Sequence, residues 1–210
     1  MDGATVSLSN PDDMGAALLR TLKCLERIGA SFALVGGLAV GARGRPRFTS
    51  DIDIVALVRT DDDAEQLVRA MVNMGFGLNA TVENQRTGRL GTVRLIAPDT
   101  PGLLVDLLFA ACGIEEEVIA AATPVMLAGD DVPIASRPHL VAMKVLAMSD
   151  LRPDDRGDVL ALLRLSDADE IAQARDAVKL ISARGYGQHL DLSARLEELI
   201  DLAARSPIIE

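Results

Sequence analysis

The sequence predicts an α/β (α+β) fold: a small mixed β-sheet flanked by helices over residues 1–136, followed by an all-helical part over 137–210. Three observations carry this expectation. Short apolar or alternating runs bounded by glycine, proline and aspartate recur between residues 32 and 135, which is strand patterning. Helix-period stripes lie among them, at 11–28 and about 62–74. After Pro138 the composition changes, and helical spacing fills about 138–149, 153–165, 167–184 and 190–205.

In chain order, Pro11-Asp12-Asp13 opens a helix, with proline in the first turn and acids complementing the positive helix end. Its apolar stripe is Ala17, Leu18, Leu22, Cys24, Leu25 and Ile28; Thr21 lies within that stripe, where its hydroxyl can bond back to a carbonyl one turn earlier. Gly29 ends the helix. Phe32–Val35 is a short strand, Gly36-Gly37 a turn, and 38–42 a short helix. Residues 51–58 read as the second strand. Asp51 and Asp53, at i and i+2, project from one face while Ile52 and Ile54 take the other. Asp61-Asp62-Asp63 reads as a helix cap and dipole complement.

Strands follow at about 76–83 and 89–97, with Arg94 able to face the open side of the sheet. Leu103–Phe109 is an apolar strand interrupted by Asp106, which needs a hydrogen-bond partner, a cation or an exposed strand edge. Residues 113–123 read as a helix whose Glu115-Glu116-Glu117 forms a solvated first turn, and 124–128 with 132–135 as a hairpin. In the helical half, Lys144 sits among apolar neighbours, either snorkelling from a core edge or binding phosphate. The acids of Arg152–Asp158 read mostly as first-turn capping, and the isolated His139 and His189 receive no role.

Composition narrows the function classes. A net charge of −10 disfavours broad binding to nucleic acid or anionic membrane. Four Phe, one Tyr and no Trp give an aliphatic core and argue against a base-stacking platform. Cys24 and Cys112 are far apart and lack metal-ligand spacing, as in a reduced protein with packed thiols. The acidic N-terminus has no signal-peptide core and no apolar run reaches membrane-spanning length, so a cytoplasmic location is expected. Against this acidity, residues 32–49 hold no acid, while Arg43, Arg45 and Arg47 fall within five positions just before Asp51. A glycine pair is often only a tight turn. Followed by a positive island and paired acids, it predicts a metal-and-phosphate site.

Gly36-Gly37, thirteen residues, Asp51-Ile-Asp53 and a strand-borne Asp106 resemble the core of the DNA-polymerase-β-like nucleotidyltransferase superfamily. The stretch Ala33-Leu-Val-Gly-Gly-Leu-Ala-Val40, followed by Arg45-x-Arg47-x-Thr49-x-Asp51-Ile-Asp53, resembles the AbiEii-type branch, whose better-known members are toxins of toxin–antitoxin systems. Residues 30–110 carry the resemblance; Lys144 with Arg156 and Asp158 extends it more weakly. Gly37 stands where many members have serine, which removes a hydroxyl contact to phosphate. The resemblance implies a catalytic domain over 1–136 and a helical domain over 137–210. Asp51, Asp53 and Asp106 would bind two Mg²⁺ ions, and Gly36 and Gly37 would cradle an NTP's outer phosphates. Arg45, Arg47 and Lys144 would neutralise the leaving pyrophosphate, and Thr49 would orient the strand, touch phosphate or serve the turn. The implied reaction transfers a nucleoside monophosphate to a hydroxyl of RNA or tRNA, a protein or a small molecule, with a possible antitoxin partner. The alternative is a catalytically silent nucleotide-binding or interaction protein on the same fold.

Overall fold

The computed structural model describes residues 11–44, 46, 48–84, 87–100 and 102–205. In order they form α1 (Pro11–Ile28), β1 (Phe32–Val35), α2 (Gly36–Arg43), β2 (Asp51–Ala56), α3 (Asp61–Asn73), β3 (Gly77–Glu83), β4 (Leu90–Ile96) and β5 (Leu104–Leu108). Then come α4 (Glu115–Ala120), β6 (Thr123–Leu127), β7 (Asp130–Ile134), α5 (Arg137–Ala147), α6 (Pro153–Arg164), α7 (Ala168–Ala183) and α8 (Leu192–Arg205). The strands make one mixed sheet in the order β3-β4-β5-β2-β1-β7-β6.

That order positions the chemistry. β2 lies in the centre, antiparallel to β1 and parallel to β5, with Val35 opposite Asp53 and Asp53 opposite Asp106. β4 runs antiparallel to β5 and sets Arg94 opposite Asp106. Asp106 is therefore on an interior strand, which removes strand-edge exposure as its explanation. The β6–β7 hairpin joins the sheet through a parallel Leu34–Ile134 pairing on β1.

The core is aliphatic, as the composition predicts, and extends from Leu18 and Leu25 of α1 through Ile52 and Ile54 of β2 to Leu196 and Leu199 of α8. α5 packs against α2, α6 and α7. The hydroxyl of Thr21 donates to the Ala17 carbonyl at 2.8 Å. At α3, Thr60 and Asp63 exchange reciprocal capping bonds, so Asp63 of the acidic triplet caps the helix, with Asp61 and Asp62 beside it in the first turn. The first turn of α4 differs from expectation. Its helix is shorter, and Glu115 is buried because its carboxylate accepts the backbone N–H groups of Cys112 and Gly113. Glu117 pairs with Arg184. These acids close a turn and a helix contact in addition to complementing the dipole.

Arg43, at the end of α2, donates to the carbonyls of Thr123, Ile134 and Ala135, and Arg137 donates to the Arg43 carbonyl while pairing with Glu170. Arg43 thereby fastens the added hairpin to the helix after β1. Arg43→Met is expected to lower the unfolding free energy by roughly 2–3 kcal/mol, because three carbonyls lose a charged donor; urea denaturation measures this. Among the described residues, no helix is long and apolar enough to cross a membrane.

Candidate active site

Strand alternation and sheet register bring the acids together. Ile52 and Ile54 are fully buried beneath β2, which leaves Asp51 and Asp53 on the opposite face. Asp106 reaches the same place from β5 and is 7% exposed. Asp51, Asp53 and Asp106 each offer one carboxylate oxygen, all within 4.8 Å of one another. Burial and the charges of Asp51 and Asp106 push the Asp53 carboxyl up to about 6, against the opposing effects of Lys144 and a Gly37 backbone hydrogen bond.

This placement has a stability consequence in the metal-free protein. The folded state holds the Asp53 proton up to about pH 6, whereas the unfolded chain releases it near 3.8. Stability therefore falls as pH rises through that interval, by on the order of 3 kcal/mol, and stays reduced at pH 7.5. Without divalent cations, Asp53→Asn is expected to be more stable than wild type at pH 7.5 by roughly 1–3 kcal/mol, with the difference vanishing near pH 4. Thermal unfolding at the two pH values measures it.

Each acid has its own neighbour. The Thr49 hydroxyl donates to Asp51 Oδ1 at 2.9 Å, so Thr49 orients the first acid. Arg94 grips Asp106 with both arms, Nε to Oδ1 at 2.8 Å and Nη2 to Oδ2 at 2.6 Å. The contact with Asp106 holds the Arg94 guanidinium above its usual range. Beside Asp53 lies the glycine turn. Gly36 has φ +65°, and a Cβ built there would fall 1.8 Å from Asp53 Oδ2. Only glycine allows β1 to turn into α2 so close to that carboxylate.

Lys144, on α5, is partly buried between two buried carboxylates of α6, with Nζ 2.6 Å from Asp155 Oδ1 and 3.0 Å from Asp158 Oδ2. Asp155 and Asp158 are both 4% exposed, which corrects their reading as first-turn caps. The sequence held a signal for this: positions 155, 158, 159 and 162 form one helical stripe, so these acids share the buried face of Val159 and Leu162. Arg45 and Arg47 lie outside the described residues.

A cavity of about 270 Å³ opens at this place, lined by Gly36, Asp53, Thr92, Met143, Lys144 and Arg152 among others. Two larger concavities, of about 620 and 530 Å³, lie along α1 and beside Tyr186, and none of the three acids lines them. The smaller one, which Asp53 lines beside Gly36 and Lys144, is the candidate site. Three converging carboxylates, with Asp53 raised by burial and then by the charges of the other two, form a hard oxygen donor set that a divalent cation would relieve. The residues present fit Mg²⁺.

A nucleotidyltransferase-like protein from Paracoccidioides brasiliensis, described as antigenic, is 19% identical, with 89% of this chain and 93% of that one covered and a TM-score of 0.51. The antibiotic-resistance factor ANT(2'')-Ia is 14% identical, covering 93% of this chain and 94% of its own at a TM-score of 0.49. The lincosamide antibiotic adenylyltransferase LnuA is 14% identical over 72% of this chain and 97% of its own, with a TM-score of 0.48. At such identities the first likeness establishes the fold. No curated protein sequence matches significantly. Residues 18–206 match the family described as nucleotidyl transferase AbiEii toxin, type IV toxin–antitoxin system. The chain belongs to this AbiEii family and is a nucleotidyltransferase.

Proposed function

We propose that the protein transfers a nucleoside monophosphate from an NTP to a hydroxyl acceptor in a Mg²⁺-dependent reaction, acting as the toxin of a toxin–antitoxin pair. The observation that carries this reading is the convergence of Asp51, Asp53 and Asp106 beside the Gly36 turn. Residues 1–136 form the catalytic domain and 137–210 the helical domain that closes the cleft with Lys144.

Asp51, Asp53 and Asp106 would hold two Mg²⁺ ions. When bound, these supply electrophilic stabilisation of phosphate charge and a more acidic acceptor hydroxyl. The bond that forms joins the acceptor oxygen to the α-phosphorus; the bond that breaks links that phosphorus to the bridging oxygen, and pyrophosphate leaves. The hydroxyl proton passes to a carboxylate of the acidic cluster, Asp106 being the acid nearest the acceptor side in this proposal. Gly36 lets the triphosphate approach the backbone closely. Lys144 lends positive charge to the phosphate side of the cavity, and Arg45 and Arg47 neutralise the departing pyrophosphate. Thr49 keeps Asp51 in orientation.

The acceptor is an RNA or tRNA end, a protein side chain or a small hydroxylated molecule. The experiment incubates each labelled NTP with Mg²⁺ and pools of these three acceptor classes, comparing wild type with Asp53→Ala. Label transfer by the wild type, reduced at least about a thousandfold by the substitution, supports the proposal. Wild-type protein that binds NTP but labels no acceptor supports a silent nucleotide-binding protein and overturns catalysis. Neutralisation of a growth defect by a co-expressed neighbouring gene product tests the toxin role.

A further inference from the structure

The three acids are not equivalent. Asp51 takes a neutral hydroxyl from Thr49, and Asp53 lies against the Gly36 turn. Thr49 adds no charge that opposes a cation, and Lys144, which acts on Asp53 through its charge alone, is itself paired with Asp155 and Asp158. Asp106 alone is gripped by a full positive charge, and both its oxygens are engaged at 2.8 and 2.6 Å. Register dictates the pairing, since Arg94 and Asp106 are direct cross-strand partners on neighbouring interior strands. The two side chains differ in freedom: that of Asp106 is 10% exposed and that of Arg94 is 40% exposed.

Building on the metal-dependent reading above, we infer that Arg94 is a positioning residue that competes with the divalent cation for Asp106. It keeps the third carboxylate out of the metal site until an anionic substrate arrives. A guanidinium and a cation can share one carboxylate only against their mutual repulsion, which acts strongly at a few ångströms. The Asp106 side chain is fixed in the sheet, while the half-exposed Arg94 can swing away. Its planar fork is as well matched to a phosphate as to a carboxylate, so an incoming triphosphate offers it a replacement partner. Without substrate, Asp51 and Asp53 remain the available ligands and the protein binds cations weakly. Exchange of Arg94 from Asp106 to phosphate then completes the triad, coupling cation binding to the presence of the nucleotide.

The test is Mn²⁺ binding in the absence of nucleotide, followed by electron paramagnetic resonance. It needs no turnover. Arg94→Gln is expected to bind Mn²⁺ roughly tenfold more tightly than wild type. Arg94→Lys keeps the charge but loses the fork, and is expected to bind about threefold more tightly. In an Asp106→Asn background, replacing Arg94 with glutamine should change affinity by less than about twofold, because the contested carboxylate is gone. Arg94 variants that both bind at or below wild-type affinity overturn the inference, as does a full Arg94 effect surviving in Asp106→Asn. Wild-type binding that Asp53→Asn abolishes, combined with unchanged Arg94 variants, removes only the role of Arg94. Absence of Mn²⁺ binding in every variant removes the metal-dependent reading and this inference with it.

Discussion

Gly36→Ala is expected to abolish nucleotidyl transfer and to cost about 3 kcal/mol or more of stability. The added Cβ would lie 1.8 Å from Asp53 Oδ2, 2.4 Å from its Cγ and 2.6 Å from its Cβ. Rotation of the Asp53 side chain does not remove the last of these clashes. The strand cannot retreat either, because β2 is paired on both sides, to β1 and to β5. Independently, φ of +65° strains any residue with a side chain. The two costs are separable. In Gly36→Ala/Asp53→Gly the clash disappears while the backbone strain remains, so the double variant should be less destabilised than the sum of the single ones. Neither transfers label. Chemical denaturation of the four proteins measures the cycle, and additivity within about 0.5 kcal/mol would show that the turn does not press on Asp53.

Much of this site is local in the chain, and that part was legible. Asp51 and Asp53 are two residues apart, so strand geometry alone puts them on one face, and the short apolar β1 followed by glycine predicts a turn. Arg94 shows where local reasoning stops. An outward-facing arginine on its strand is readable, but its bond to Asp106 depends on β4 pairing with β5 and β5 with β2. Asp106 was ambiguous for the same reason, since only sheet order decides whether a lone strand acid is at an edge. The β6–β7 hairpin is readable as a hairpin, while its docking on β1 rests on a short parallel contact with no local signature. In the sequence Glu115 and Asp155 look like ordinary first-turn acids, because helix dipoles favour such residues at every start. Burial distinguishes them, and burial is a tertiary property. For Asp155 and Asp158 the helical stripe with Val159 and Leu162 would have given that distinction.

Lys144→Met is expected to cost about 3–5 kcal/mol in stability, because it leaves Asp155 and Asp158 without their shared cation inside the protein. Both are 4% exposed, and Asp155 Oδ2 already has no hydrogen-bond partner, with Arg152 Nη1 standing 4.0 Å away. The same substitution should reduce transfer at least about tenfold, since Lys144 supplies positive charge beside Asp53 and lines the cavity. A loss of activity could follow from the loss of fold, so the two effects need separating. In Lys144→Met/Asp155→Asn/Asp158→Asn no unpaired buried charge remains, and most of the lost stability should return, as it does when a buried ion pair is replaced as a unit. Transfer should not return if the ammonium acts on the phosphates. Denaturation and label transfer measured on the same preparations decide it. Recovery of both would make Lys144 a structural clamp between α5 and α6, and recovery of stability alone assigns its charge to the nucleotide.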